Sequence, residues 1–178
     1  THSFTLFPYT TLFRSVRKRP ITFVFNGGPG SSSAWLHMGA IGPMKVSTTE
    51  YGKTELPPKT FNLVNNDQCW LDITDLVFID PVGCGFSKPI GEEKTDKFYG
   101  YENDIKTTGD FINQWTSQNK RWGSPKFLAG ESYGTTRACG VVDYLTDKYQ
   151  MYFNGISLIS CALDFETLRE YETNTLLP

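Results

Sequence analysis

An α/β fold, a mostly parallel sheet with flanking helices, is the architecture that this 178-residue chain predicts. Three observations carry the prediction. Apolar runs too short for helices recur at residues 21–25, 76–79, 127–129 and 153–160. The stretches separating the last three runs carry apolar residues at the 3.6-residue spacing of amphipathic helices. Two of the runs end in glycine-rich turns, "NGGPG" and "GESYG", where strands of such a sheet commonly hand over to helices.

The elements follow in order. Ile21–Phe25 is a β-branched and aromatic run between Pro20 and the glycine loop of residues 26–30, as suits a buried strand. Ser31 to Ser33 are placed to cap a short helix over "AWLHMGA". Residues 46–71 are polar and turn-rich, a surface excursion with room for short strands. Leu76–Ile79 is a second buried strand, closed by Asp80-Pro81. Tyr101, Ile105, Thr108, Ile112 and Trp115 then share one helical face, with Trp115 expected in the core. Phe127–Ala129 is the third strand, and Thr135–Tyr149 the next helix, with Ala138, Val141, Val142 and Leu145 facing inward. Phe153–Ser160 is the fourth strand.

Residues 1–15 fit none of this. The run "TLFPYTTLFRS" reads like a translated sequencing adapter and lacks both helical and strand periodicity. It also lacks the basic start, apolar centre and small-residue end of a signal peptide. Residues 1–15 are therefore expected to be non-native, leaving 16–178 as the folding unit.

Composition excludes several function classes. A net charge of −2 offers no basic footprint for nucleic acid or an anionic membrane. No run approaches the ~18 apolar residues of a membrane span. Cys69, Cys84, Cys139 and Cys161 show no metal-ligand spacing, so neither a metal nor another cofactor is expected. Cys139 in a helix and Cys161 at the end of an apolar run are places where free buried cysteine is common. An even count in an exported protein would also allow disulfides.

The chemistry centres on Gly130-Glu131-Ser132-Tyr133-Gly134, which has the form G-x-S-x-G between a predicted strand and a predicted helix. Glycines at 130 and 134 permit a sharp turn that lifts the Ser132 hydroxyl to the strand's C-terminal edge, as a nucleophile requires. The Tyr133 N–H then opens a helix, where donors and the helix dipole favour negative charge. The earlier glycine loop is where a second oxyanion donor would lie, with the Gly28 N–H as candidate. A lone motif of this form is weak; its strand–helix context and the companion loop make it strong.

Three blocks carry a family resemblance: "FVFNGGPGSSS" at 23–33, "LVFIDPVGCGFS" at 76–87 and "FLAGESYGTTRA" at 127–138. The chain resembles the serine carboxypeptidases, and in particular their bacterial branch. The resemblance implies the α/β-hydrolase fold, Ser132 as nucleophile, and Gly28 and Tyr133 N–H groups as oxyanion hole. It further implies Asn26, Gly27 and Glu131 as substrate-binding residues, Asn26 and Glu131 hydrogen-bonding the free α-carboxylate of a peptide. An ionised Glu131 would repel that carboxylate and a protonated one would donate to it, so activity favouring acidic pH is expected. Three positions depart from the better-known eukaryotic pattern. Ala40 replaces a second glutamate, Val24 a tryptophan, and Ser31 a cysteine that is disulfide-bonded in many relatives. The resemblance also allows an exported enzyme; oligomeric state is left open.

In this fold the triad runs Ser, acid, His along the chain. No histidine occurs between Ser132 and Pro178. His2 lies in the segment set aside, and His37 precedes the nucleophile and reads as a structural or cleft-lining residue. The expectation is a fragment truncated on the C-terminal side, inactive and incompletely folded alone. An esterase or acyltransferase of the same fold, and a non-catalytic relative without a triad, are the alternative readings.

Overall fold

The structure, a computed structural model, describes residues 4–5, 8–12, 19–47 and 62–165. Its centre is a five-stranded sheet of β2 (Pro8–Leu12), β6 (Asp75–Ile79), β3 (Ile21–Phe25), β8 (Lys126–Glu131) and β9 (Gly155–Ile159), in that spatial order. Strands β6, β3, β8 and β9 are parallel, and β2 runs antiparallel along β6. This is the expected α/β architecture, with each predicted strand in the sheet. The sequence reading gave Pro8–Leu12 no element. An edge strand needs only main-chain donors and acceptors from its neighbour, so apolar alternation is not required to recruit it. Two small antiparallel pairs flank the sheet: β1 (Phe4–Thr5) with β7 (Lys88–Pro89), and β4 (Met44–Val46) with β5 (Leu63–Asn65). The middle of the predicted polar excursion, residues 48–61, lies outside the described residues.

Strand alternation divides the core between the two faces of the sheet. Ile21, Phe23, Phe25, Val77, Ile79 and Leu128 point to one face. There they meet α2 (Tyr101–Gln118) and α3 (Tyr133–Tyr149) through residues such as Ile105, Ile112, Ala138, Val141 and Leu145. Trp115 is buried as expected, its ring edge-on to Phe23 at 5.5 Å. On the opposite face Val24, Leu76, Phe78 and Ala129 pack against Leu36 and Ile41. The two helices approach closely because neither Gly109 nor Gly140 carries a side chain. A Cβ on Gly109 would come within 2.5 Å of the Tyr144 ring, and one on Gly140 within 2.5 Å of the Tyr101 hydroxyl.

The short helix predicted over residues 34–40 forms as α1 (Ala34–Leu36) continuing into a wider π turn at His37–Ile41. Its cap differs from expectation. Ser33 makes no capping bond with its side chain; its hydroxyl donates instead to the carbonyls of Ile79 and Val24. The Ser32 hydroxyl accepts from Ala34 N–H at 3.3 Å. Asn66, buried in the loop after β5, donates to the carbonyls of Ala40 (2.6 Å) and Gly42 (2.8 Å) and fixes the far end of that turn.

A polar knot ties α2 to α3 on their outer side. One Asp110 carboxylate oxygen accepts from Tyr144 Oη (2.7 Å), Tyr149 Oη (2.7 Å) and Lys148 Nζ (3.1 Å). Burial by itself would raise the Asp110 carboxyl, but these three donors outweigh it and hold the group below the usual range. The same environment pushes the Tyr144 phenol up to about 12, burial being the main cause. A depressed carboxyl contributes stability above its unfolded value of ~3.9, and loses it as pH falls through the lower folded value. Asp110→Asn is therefore expected to flatten the acid limb of the stability curve below about pH 4, measured by urea unfolding across pH.

Candidate active site

Strand β8 runs into the G-x-S-x-G turn without a break, and α3 begins at Tyr133. Ser132, between them, adopts φ 55° and ψ −124°, a backbone conformation L-residues rarely hold. The surroundings enforce it. Ser132 N–H donates to the Ile159 carbonyl at the end of β9 (2.9 Å). Its own carbonyl accepts from Thr135 N–H (2.9 Å) and the Thr135 hydroxyl (2.7 Å). The flanking glycines are required by space as much as by conformation: a Cβ on Gly130 would lie 2.0 Å from the Gly134 carbonyl oxygen.

The glycine loop of residues 26–30 presses against this turn. A Cβ on Gly27 would fall 2.5 Å from Tyr133 N and 2.6 Å from the Glu131 carbonyl oxygen. Gly28 follows at φ +106°, bending the loop over the start of α3. Tyr133 N–H is among the first donors of α3, which have no intrahelical acceptor. The loop thus brings its own main chain beside the helix N-terminus, an arrangement able to receive an oxyanion.

The loop is anchored from beneath by Asp80, a fully buried carboxylate at the end of β6. Its Oδ1 accepts from the Ser32 hydroxyl (2.9 Å) and Ser33 N–H (2.8 Å), while Oδ2 faces Phe86 N–H at 3.4 Å. Gly85, at φ +50°, leaves the necessary room: a Cβ there would sit 1.9 Å from Asp80 Oδ2. Asp80 so joins the "NGGPGSSS" and "DPVGCGFS" blocks into one support.

Asn26 and Glu131 meet directly, with Asn26 Nδ2 donating to Glu131 Oε2 at 3.1 Å. Asn26 is almost fully buried, and its Oδ1 accepts from Leu36 N–H at 3.0 Å. That bond orients the amide, leaving its NH₂ on the Glu131 side. Both residues line a cleft of about 410 Å³, together with Ser31, Trp35 and Ala40. Trp35 is 74% exposed, an aromatic surface over the cleft that sequence reasoning passed over. Val24 does not line the cleft; it is fully buried beneath it, in the cluster that includes Leu36, which does.

A second unforeseen residue is Arg137, on the first turns of α3 and 1% exposed. Its Nε bonds both Asp104 oxygens (3.1 and 2.9 Å), and Nη1 donates to the Asn26 carbonyl at 2.7 Å. Its guanidinium lies over the rings of Phe25 (5.4 Å) and Tyr133 (5.1 Å). Burial pushes the Tyr133 phenol up to about 12, the Asp104 charge adding to the rise and the Arg137 charge opposing it. Beyond this pair opens a larger cavity of about 550 Å³ walled by Gly30, Val82, Phe98, Tyr99, Tyr133 and Phe165. Clefts thus lie on both sides of the glycine loop, one polar and one largely aromatic.

The sequence-derived residues Asn26, Gly27, Gly28, Glu131, Ser132 and Tyr133 come together in one place. His37 does not join them as a cleft residue. Its imidazole packs on the Phe78 ring at 4.6 Å, burial lowers its pKa, and it lines neither cavity. Among the described residues, no helix is long and apolar enough to cross a membrane.

Comparison with known proteins gives a consistent picture. The family model for serine carboxypeptidases matches residues 4–174. The chain is 34% identical over 124 residues to serine carboxypeptidase-like 20 of Arabidopsis thaliana, an alignment covering 65% of this chain and 22% of that protein. It is 31% identical over 151 residues to a carboxypeptidase Y homolog of Arthroderma benhamiae, covering 80% of this chain and 26% of that one. The crystal structure of Kex1(delta)p, a prohormone-processing carboxypeptidase from Saccharomyces cerevisiae, superposes with a TM-score of 0.59 at 26% identity. That superposition covers 79% of this chain and 30% of the yeast chain. The chain therefore spans about a quarter of the length of the relatives it matches.

Proposed function

This chain belongs to the serine carboxypeptidase family, with the α/β-hydrolase fold, and on that premise we propose that it forms the nucleophile half of a peptidase that removes C-terminal residues. Ser132 Oγ attacks the carbonyl of the last peptide bond, giving an acyl-enzyme that water then hydrolyses. The N–H groups of Gly28 and Tyr133 receive the oxyanion. The general base has no candidate after Ser132, so the reading places it, with its acid partner, on residues outside Thr1–Pro178. The substrate is a peptide with a free C-terminus, and export to an oxidising compartment belongs to the same reading.

The observation that carries this proposal is the Asn26–Glu131 contact at 3.1 Å, one residue from Ser132 and inside the polar cleft. A hydrolase of esters or amides in general has no use for a carboxyl group held there. A peptidase that grips the substrate's α-carboxylate does, since Asn26 Nδ2 and a protonated Glu131 can both donate to it. The aromatic cavity on the other side of the loop suits an apolar side chain on the acyl residue.

The test compares a blocked dipeptide with its C-terminal amide, using the longer enzyme that includes the base. The parent is expected to prefer the free acid, with Asn26→Ala and Glu131→Gln each raising KM for the acid and narrowing the preference by about 10-fold or more. Equal discrimination by both variants and the parent would assign carboxylate recognition elsewhere.

A further inference from the structure

Cys139 and Cys161, expected as buried thiols, are both exposed free cysteines. The helix pattern buries Ala138 and Val141, which turns Cys139 to the outer side of α3. Cys161 is exposed because the chain leaves β9 in a sharp bend, with Ser160 at φ 49°. This bend lays residues 161–165 antiparallel along the first turns of α3. Phe165 meets the Tyr133 ring at 6.4 Å. Ala162 N–H donates to the Thr135 hydroxyl at 2.9 Å, and the Thr136 hydroxyl donates back to the Ala162 carbonyl. Continuing the same run by one residue brings Cys161 alongside the next turn of α3. Cys139 stands there, three residues beyond Thr136 and on the same side of the helix. The two thiols are near enough for a charge on Cys161 to raise the Cys139 thiol, whose rise is due mainly to burial.

We propose that Cys139 and Cys161 are a redox pair that closes into a disulfide, pinning residues 161–165 to α3 beside Ser132. The step is thiol–disulfide exchange with a low-molecular-weight disulfide such as glutathione disulfide. One cysteine thiolate attacks the glutathione disulfide, forming a mixed disulfide and releasing one glutathione thiolate. The second cysteine thiolate then attacks the protein sulfur of that mixed disulfide and releases the other. Both released thiolates take up the protons given up by the cysteines, so the pair is oxidised by two electrons and the reagent reduced by two. The pinned segment carries Phe165, a wall of the aromatic cavity, and follows Ile159, whose carbonyl holds Ser132 N–H. The bridge would therefore fix one side of the acyl pocket as well as the nucleophile's turn. The pairing rests on this local geometry and stands apart from the reaction assigned above.

The test equilibrates the longer enzyme that includes the base in glutathione redox buffer and maps disulfides by mass spectrometry without reduction, in native buffer and in denaturant. The expected product is a Cys139–Cys161 linked peptide, favoured at least about 10-fold natively, because the fold raises the effective concentration of one thiol at the other. Cys139→Ser is expected to leave Cys161 as its glutathione adduct, and Cys161→Ser the reverse. Independent glutathionylation of both thiols, a linkage through Cys69 or Cys84, or equal yield in denaturant would each overturn the proposal.

Discussion

Replacing Arg137 with methionine is expected to destabilise the fold by about 3–5 kcal/mol, the range for breaking one side of a buried ion pair. The guanidinium is 1% exposed and Asp104 only 13%, so removing one charge leaves the other with little water to compensate. The change also takes the donor from the Asn26 carbonyl and the flat cation from between Phe25 and Tyr133. Urea unfolding of the parent and variant measures the loss. A second replacement, Asp104→Leu, is expected to recover part of it, because two apolar groups cost less than one stranded carboxylate. A loss under about 1 kcal/mol would mean that solvent already screens the pair.

Gly27→Ala is expected to impair catalysis strongly. Its Cβ would lie 2.5 Å from Tyr133 N and 2.9 Å from Gly134 N, both main-chain atoms that cannot rotate away. The loop must therefore lift from the helix N-terminus, separating the Gly28 and Tyr133 N–H groups proposed to receive the oxyanion. Loss of one such donor costs about 10²–10³ in kcat, with little change in KM if the carboxylate cleft survives. Steady-state kinetics of the longer enzyme reads this directly. An unchanged kcat would show that the oxyanion is received elsewhere.

Much of this arrangement could be read from the residues because backbone geometry demanded it. Gly130 and Gly134 flank a serine that needs a strained turn, and the apolar runs are too short to be anything but strands. Asn26, Gly27, Gly28, Glu131 and Tyr133 followed from those turns and from the family resemblance. Other features depend on contacts made across the fold. Asp80 looked like the polar end of a strand, yet it is fully buried and holds the glycine loop through Ser32 and Ser33. Arg137 drew no reading of its own from the sequence, since only α2 packing alongside provides Asp104 to bury it. Cys139 and Cys161 were misplaced for a related reason, since apolar neighbours do not say which way a bend after β9 will turn. Trp35 carries no local signal: it lines the cleft only because α1 packs beside Asn26, whose side chain accepts from Leu36 N–H.

Ser132 as the covalent nucleophile, aligned by the two glycine turns, is the claim on which the rest depends. Reacting the longer enzyme with an organophosphonate ester fluoride and mapping the adduct by peptide mass spectrometry tests it most directly. The expected result is one phosphonyl group on Ser132, formed in step with loss of peptidase activity, and no adduct in Ser132→Ala. Inactivation with the label on a different residue, or turnover by Ser132→Ala at the parent's rate, would contradict it.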